Sequence, residues 1–334
     1  MTTQRDIARL AKTSLKTVSR VINRDPLVNE ATRKRIQDII DQTGYVPNEA
    51  ARMMRSQSSD IVGFLSEDVA TTSSSIDLVR GAQDVAHAMG KQMMLFNIRR
   101  GEASETEALA QLARFRASAC ILATSFHREV PLPRTDMKTV LLNCYDADGD
   151  TATVLPDDRQ LGYDLTTELL RRGYRRPLFL NLAPELAGAR LRAEGFVAAG
   201  RDAELNLADR IRTASAGPDR DHTYFVDDIL PAEMTGAEPP DVLICGQDLM
   251  ALPVYFALAR LGLTVGRDVA VTSFDNLQPL AKLMQPGLTT MELPYYDMGR
   301  VAMQQALSEH DSPIRQLVQG QLVERASLPI RQSA

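Results

Sequence analysis

From residue 61 onward the chain alternates short apolar runs with longer amphipathic ones, and this alternation limits the fold more than any other feature. Ile61–Leu65, Gln92–Ile98, Ala119–Thr124, Val140–Cys144, Pro177–Leu182, Val242–Cys245 and Val269–Phe274 read as strands. Ile76–Met89, Glu105–Phe115, Arg159–Arg172, Leu186–Ala199, Leu249–Leu261 and Tyr296–Leu307 have helical spacing, and a last strand is expected near Gln321–Glu324. Repeated strand–helix units demand parallel sheets with helices on both faces, because each crossover helix must pack back onto the sheet. About 276 residues are long for one such sheet, so two lobes are expected. Residues 201–235 carry no clear pattern.

The first sixty residues read differently. Thr3-Gln4-Arg5-Asp6 has the form of a capping box opening a helix that continues through Ala11. Ser14 is placed to cap a second helix, Leu15 to Ile22, with Val18, Val21 and Ile22 inward. Asn29 is placed to cap a third, Glu30 to Gln42, which ends at Gly44, where a left-handed residue closes a helix. Ser56-Gln57-Ser58-Ser59 reads as a linker. Charge divides at the same place. Residues 1–58 hold 11 Lys/Arg against 6 Asp/Glu, a surplus of +5; the rest holds 27 against 37, or −10. A small basic head on an acidic body points to a polyanion met by the head alone.

Two short helices joined by a three- to four-residue turn form a helix-turn-helix. Its second helix would present Leu15, Lys16, Thr17, Ser19 and Arg20 to a major groove. Arg20 or Lys16 suits guanine, and Thr17 and Leu15 suit a thymine methyl. Thr3 and Gln4 lie at a helix N-terminus that can hold phosphate. A three-helix packing module with a solvated basic face accounts for the same spacing.

The residues Asp6-Ile7-Ala8, Ala11, Ser14 and Thr17-Val18-Ser19-Arg20-Val21-Ile22-Asn23 resemble the N-terminal signature of the LacI/GalR family of bacterial transcription regulators. Val28, Thr32-Arg33, Ile36, Gly44-Tyr45-Val46-Pro47-Asn48 and Ala51-Arg52 extend the likeness, which runs on to Arg325. The resemblance implies an α/β protein with a three-helix headpiece over residues 1–46, a hinge helix and linker over 47–59, and a two-lobed body over 60–334. That body would be type I periplasmic-binding-protein-like and would carry effector binding and dimerisation. Its first lobe would take about 60–158 and 291–334 and its second about 159–290, with Pro286–Thr290 crossing between them. Ser14 and Asn23 join the DNA-contacting set. The hinge falls on Asn48 to Arg55, with Ala51, Arg52, Met54 and Arg55 at the minor groove. Met54 stands where the family usually has leucine, and methionine can also wedge between bases. Lys12 stands where the family's turn has glycine. Either this backbone has positive φ and lysine costs about 1 kcal/mol, or the turn differs, or Lys12 touches phosphate.

In an open α/β sheet ligands bind beyond the carboxyl ends of the strands. Ser66, Glu67 and Asp68, Thr124 and Ser125, Asp146, Gln247 and Asp248, and Asp275 and Asn276 lie there. Each could equally cap a helix or solvate a loop, Asp248 especially. The resemblance selects among them. Arg192 falls on the family's Arg-x-x-Gly-aromatic motif, Gln247-Asp248 on its Asn-Asp, and Asp275 on the first aspartate of its Gly-Phe-Asp-Asp. With Ser66, Asp68 and Ser125 kept from the strand ends, the expected effector set is Ser66, Asp68, Ser125, Arg192, Gln247, Asp248 and Asp275. Such groups suit a polyhydroxyl ligand, a sugar or sugar derivative. Gln247 for asparagine, Ser273 for glycine and Pro253 for glycine depart from the pattern, and the absence of Trp weakens the case for a stacked pyranose.

No run of about 18 apolar residues is present, and the first residues hold no apolar signal segment. Three distant cysteines exclude a disulfide scaffold, and the four histidines have no zinc-ligand spacing. No nucleotide-binding or nucleophile-elbow motif occurs. Asp157-Asp158 and Asp227-Asp228 are adjacent and would point oppositely on a strand. The expectation is a cytoplasmic, non-enzymatic repressor without cofactor, metal or membrane contact. It would bind a palindromic operator in double-stranded DNA as a homodimer, or as a tetramer, under control of a small effector. The competing reading is a two-lobed solute-binding protein or sugar-active enzyme.

Overall fold

The computed structural model describes residues 2–22, 25–45, 59–67, 69, 73–98, 104–132, 135–217, 223–309 and 315–331. The chain forms two compact units, Met1–Ser59 and Asp60–Ala334.

The first unit holds α1 (Gln4–Leu10), α2 (Leu15–Ile22) and α3 (Glu30–Thr43). Its helix ends are fixed by side chains a few residues away. Thr3 and Asp6 close a reciprocal capping box, with Asp6 N–H donating to Thr3 Oγ1 at 3.3 Å and Thr3 N–H to Asp6 Oδ2 at 3.0 Å. Ser14 Oγ accepts from the Thr17 amide at 3.1 Å, and Asn29 Oδ1 from the Thr32 amide at 2.8 Å. Gly44 ends α3 at φ 60°. Ile7, Ala8, Ala11, Val18, Val21 and Ile36 bury together and pin the three helices. Lys12 also lies in the left-handed region, at φ 49°. Its amide bonds Arg9 O at 3.2 Å and the Thr13 amide bonds Ala8 O at 3.0 Å. This pair of bonds is the Schellman closure, which favours glycine where Lys12 stands. Of the alternatives open in the sequence, the positive φ is the one found.

The second unit runs β1 (Ile61–Glu67), α4 (Ser73–Ala88), β2 (Gln92–Ile98), α5 (Ser104–Arg114), β3 (Ala119–Glu129), β4 (Lys138–Tyr145) and β5 (Ala152–Pro156) through its first lobe. It continues α6 (Asp158–Arg171), β6 (Pro177–Asn181), α7 (Ala187–Asp202), β7 (Ile211–Thr213), α8 (Val226–Thr235), β8 (Val242–Cys245), α9 (Asp248–Arg260), β9 (Ala270–Asp275), α10 (Leu280–Leu283) and β10 (Thr289–Glu292). It closes with α11 (Tyr295–Leu307), β11 (Arg315–Val318) and β12 (Gln321–Val323). Two six-stranded sheets result, ordered β11-β5-β4-β3-β1-β2 and β12-β10-β9-β8-β6-β7. All neighbours are parallel except β12, which runs antiparallel to β10. Helices cover both faces, and α11 packs on the first sheet against α4.

The structure departs from the sequence expectation at several points. The short strands β5, β10 and β11 carry too little alternation to stand out, and β7 and α8 occupy the stretch that had no pattern. The strand expected to stop at Thr124 continues to Glu129 through a register shift between Ala123 and Arg128. The last strand, placed by expectation with the first lobe, belongs to the second: Gln321–Val323 pairs with Thr290–Glu292. The chain thus crosses between lobes once more, after β11. Pro253 sits inside α9 without ending it.

Candidate functional site

Between the two lobes lies a cavity of about 240 Å³. Its position depends on two helices that touch backbone to backbone. A Cβ on Gly162 of α6 would come within 2.3 Å of Arg192 O, and one on Gly195 of α7 within 2.1 Å of Arg159 O. Only glycine permits that approach. The crossing brings Asp158, in the first turn of α6, onto Arg192 of α7. Arg192 Nε donates to Asp158 Oδ1 at 2.7 Å and Nη1 to Gly246 O at 2.9 Å, with the guanidinium 4.7 Å over the Phe274 ring. Asp158 Oδ2 takes a bond from the first lobe, His127 Nδ1 at 2.7 Å. His127 reaches it because β3 runs past its register shift, and the imidazole stands edge-on to Tyr145. Burial alone would push the Asp158 carboxyl up; the Arg192 charge and the His127 bond instead hold it below the usual carboxylate value.

Asp275 ends β9 at the cavity wall, and Tyr295 OH, from the first lobe's α11, approaches its Oδ1 at 3.4 Å. Burial, reinforced by the nearby Asp248 charge, pushes the Asp275 carboxyl up to about 8, so it stays largely protonated at neutral pH. Gln247 Nε2 donates to Tyr224 OH, from the stretch that the sequence left unread. The extra methylene over asparagine carries the amide to that partner.

In the first unit Leu15, Lys16 and Arg20 of α2 are exposed, and Thr17 and Ser19 are half-buried beside them. Arg20 Nε lies 3.4 Å from Asp25 Oδ2. The hydroxyls of Ser14 and Thr17 pair at 2.8 Å. Thr3 is exposed but its hydroxyl serves the α1 cap, and Gln4 follows it half-buried. Asn23, Asn48, Ala51, Arg52, Met54 and Arg55 lie outside the described residues, as does Asp68.

Residues 3–48 match the model of bacterial regulatory proteins of the lacI family, and residues 166–328 match that of a periplasmic binding protein-like domain. A sucrose operon repressor of Shigella flexneri is 36% identical over 307 residues, covering 90% of this chain and 92% of the relative. This chain belongs to the LacI family. The ribose operon repressor of Escherichia coli K12 is 31% identical over 91% of each chain. The lac repressor dimer, solved bound to operator and the anti-inducer ONPF, matches the fold with a TM-score of 0.74, at 20% identity over 98% of this chain and 99% of that one. As a LacI-family member the chain is a DNA-binding transcriptional regulator with an effector-binding body.

Within this LacI-family body, Ser125, Arg192, Gln247 and Asp275 of the expected effector set reach the cavity wall. Ser66 and Asp248 do not. Ser66 is 1% exposed, with its hydroxyl directed to Glu67 O at 3.4 Å. Asp248 is fully buried and holds three strands' ends together: it accepts from Ser273 Oγ at 2.5 Å, Thr290 Oγ1 at 2.7 Å and the Leu277 amide at 2.6 Å. The hydroxyl that replaces the family glycine at Ser273 is thereby occupied within the protein. Glu67, Thr124 and Asp146 stand off the wall, while Asn276 is on it. Sequence reasoning missed His127, Asn143 and Tyr295 on the wall and Asp158 behind it. On a strand, the adjacent carboxylates Asp157 and Asp158 would point oppositely. The pair opens a helix rather than lying on a strand, so Asp157 caps α6 and Asp158 turns inward. Among the described residues, no helix is long and apolar enough to cross a membrane, and no group of His, Cys, Asp and Glu could hold a metal ion.

Proposed function

We propose that this LacI-family chain is a cytoplasmic repressor that binds a palindromic operator as a homodimer, its affinity set by a sugar or sugar derivative in the cleft between the lobes. The observation that carries the reading is convergence: Ser125 comes from the first lobe and Arg192, Gln247 and Asp275 from the second onto one small cavity. Arg192 can make charge-assisted hydrogen bonds, which are strong toward hydroxyls once water is excluded, and Ser125, Gln247 and the protonated Asp275 add neutral donors and acceptors. Relatives at 36% and 31% identity are sucrose and ribose operon repressors. At about 240 Å³ the cavity lies just under the usual range of roughly 300–1,000 Å³, which favours a monosaccharide-sized ligand.

One helix-turn-helix reads a half-site, so a two-fold dimer matches a palindrome. A ligand shifts DNA affinity only by binding the two lobe arrangements unequally, and the coupling is reciprocal. The residue set Thr3, Gln4, Ser14–Thr17, Ser19, Arg20 and Asn23 would contact the operator, with Asn48–Arg55 at the hinge. Selection from a random duplex pool tests the reading: a palindromic motif should be enriched, and uniform retention of all sequences would refute it. Arg192→Ala should keep operator binding and lose effector-driven release.

A further inference from the structure

Among the described residues, the titratable and charged side chains on the cavity wall are Asp77, His127, Arg192 and Asp275. Arg192 is the one permanent cation among them, and its charge is already matched. Asp158 accepts Arg192 Nε on one oxygen and His127 Nδ1 on the other, both at 2.7 Å. The same carboxylate sits in the first turn of α6 and against the first turn of α7, where a Cβ on Gly188 would come within 3.1 Å of its Oδ2. Helix N-termini and a guanidinium are what an anionic ligand would seek. Here the protein supplies the anion itself. The carboxylate engages His127 at Nδ1, and His127 Nε2 is buried without a hydrogen-bond partner among the described residues. Asp77 pairs with Arg80, Nη2 to Oδ1 at 3.0 Å, on the exposed side of α4. Among the described residues, a phosphate or carboxylate entering the cavity would therefore find no uncommitted permanent cation to offset its desolvation.

We infer that the effector is an uncharged polyhydroxyl compound and that Asp158, held between Arg192 and His127, is the residue that excludes phosphorylated and carboxylated sugars. The inference rests on the reading that the cleft is the effector site. Nothing in the motifs of the chain distinguishes sugar from sugar phosphate; the distinction lies in the partner that Arg192 finds in the fold. Asp158 acts through Arg192 and is a positioning residue whose signature is the charge preference of the site.

The test is calorimetric titration of the full-length protein with matched pairs: ribose and ribose 5-phosphate, fructose and fructose 6-phosphate, glucose and glucose 6-phosphate, sucrose and sucrose 6-phosphate, together with gluconate. At least one neutral parent should bind, with its charged partner at least about tenfold weaker. A charged partner that binds as tightly as its parent, or more tightly, overturns the inference and leaves the sugar reading of the cleft standing. Binding of no probe by protein that retains operator affinity overturns the sugar reading and the inference with it. Asp158→Asn keeps the shape and removes the charge, and should narrow the ratio between charged and neutral ligand by about tenfold or more. An unchanged ratio in folded Asp158→Asn removes Asp158 from the role, and if that variant does not fold the wild-type pairs still decide.

Discussion

Replacing Lys12 by glycine should stabilise the headpiece, and the size of the gain follows from the backbone. Lys12 occupies the left-handed position that closes α1, at φ 49°. A left-handed conformation costs an L-residue about 1–2 kcal/mol, which glycine avoids. Glycine gives back about 0.4–1 kcal/mol because its unfolded chain is freer. The net expectation is a gain of about 1 kcal/mol, close to fivefold in the opening equilibrium. Lys12→Ala is the control: it removes the charge but keeps the Cβ, so it should gain nothing. Native-state hydrogen exchange in the full-length chain reads the effect at the Ala11 and Val18 amides, which bond Ile7 O at 2.8 Å and Ser14 O at 3.1 Å. Exchange there should slow about fivefold in Lys12→Gly and not in Lys12→Ala. Equal rates in the two variants would refute the strain argument. Operator affinity measured against salt closes the question that the sequence left open. If Lys12 touches phosphate, both variants lose affinity and the salt slope falls by about 1; if it only strains the turn, neither changes.

Gly195→Ala should destabilise the body by about 1–3 kcal/mol, because its Cβ would meet Arg159 O at 2.1 Å and force α6 and α7 apart; thermal unfolding of the body checks it. Arg20→Ala should weaken operator binding by about 1–3 kcal/mol in a mobility-shift titration while leaving binding to random DNA nearly unchanged. Burial pushes Asp248 up to about 6 and Asp275 up to about 8, so between pH of about 4 and 8 the folded chain holds protons that the unfolded chain releases. Stability should therefore fall as pH rises through that window. Asp275→Asn should flatten the upper part, seen by comparing denaturation at pH of about 6 and 8, and an equally steep fall in the variant would refute the assignment.

Sequence and tertiary structure divide this protein by the distance over which its residues act. The caps at Thr3, Ser14, Asn29 and Gly44 work within three or four residues, so reading the letters in order finds them and with them the helix-turn-helix. Strand–helix alternation is likewise local, and it announces parallel sheets. The cleft is built from contacts that no local pattern encodes. Asp158 meets Arg192 34 residues on and His127 31 residues back, and Asp248 meets Thr290 42 residues on. Asp248 and Asp275 carry equal weight as letters after a strand. Folding turns one into a buried tie between strand ends and the other into the wall of the site, because burial and hydrogen-bond partners are set by which elements pack together. The sequence alone thus determined that a DNA-reading head precedes a two-lobed α/β body; only the packing of α6 on α7 decided which carboxylate answers Arg192, and so what charge the cavity accepts.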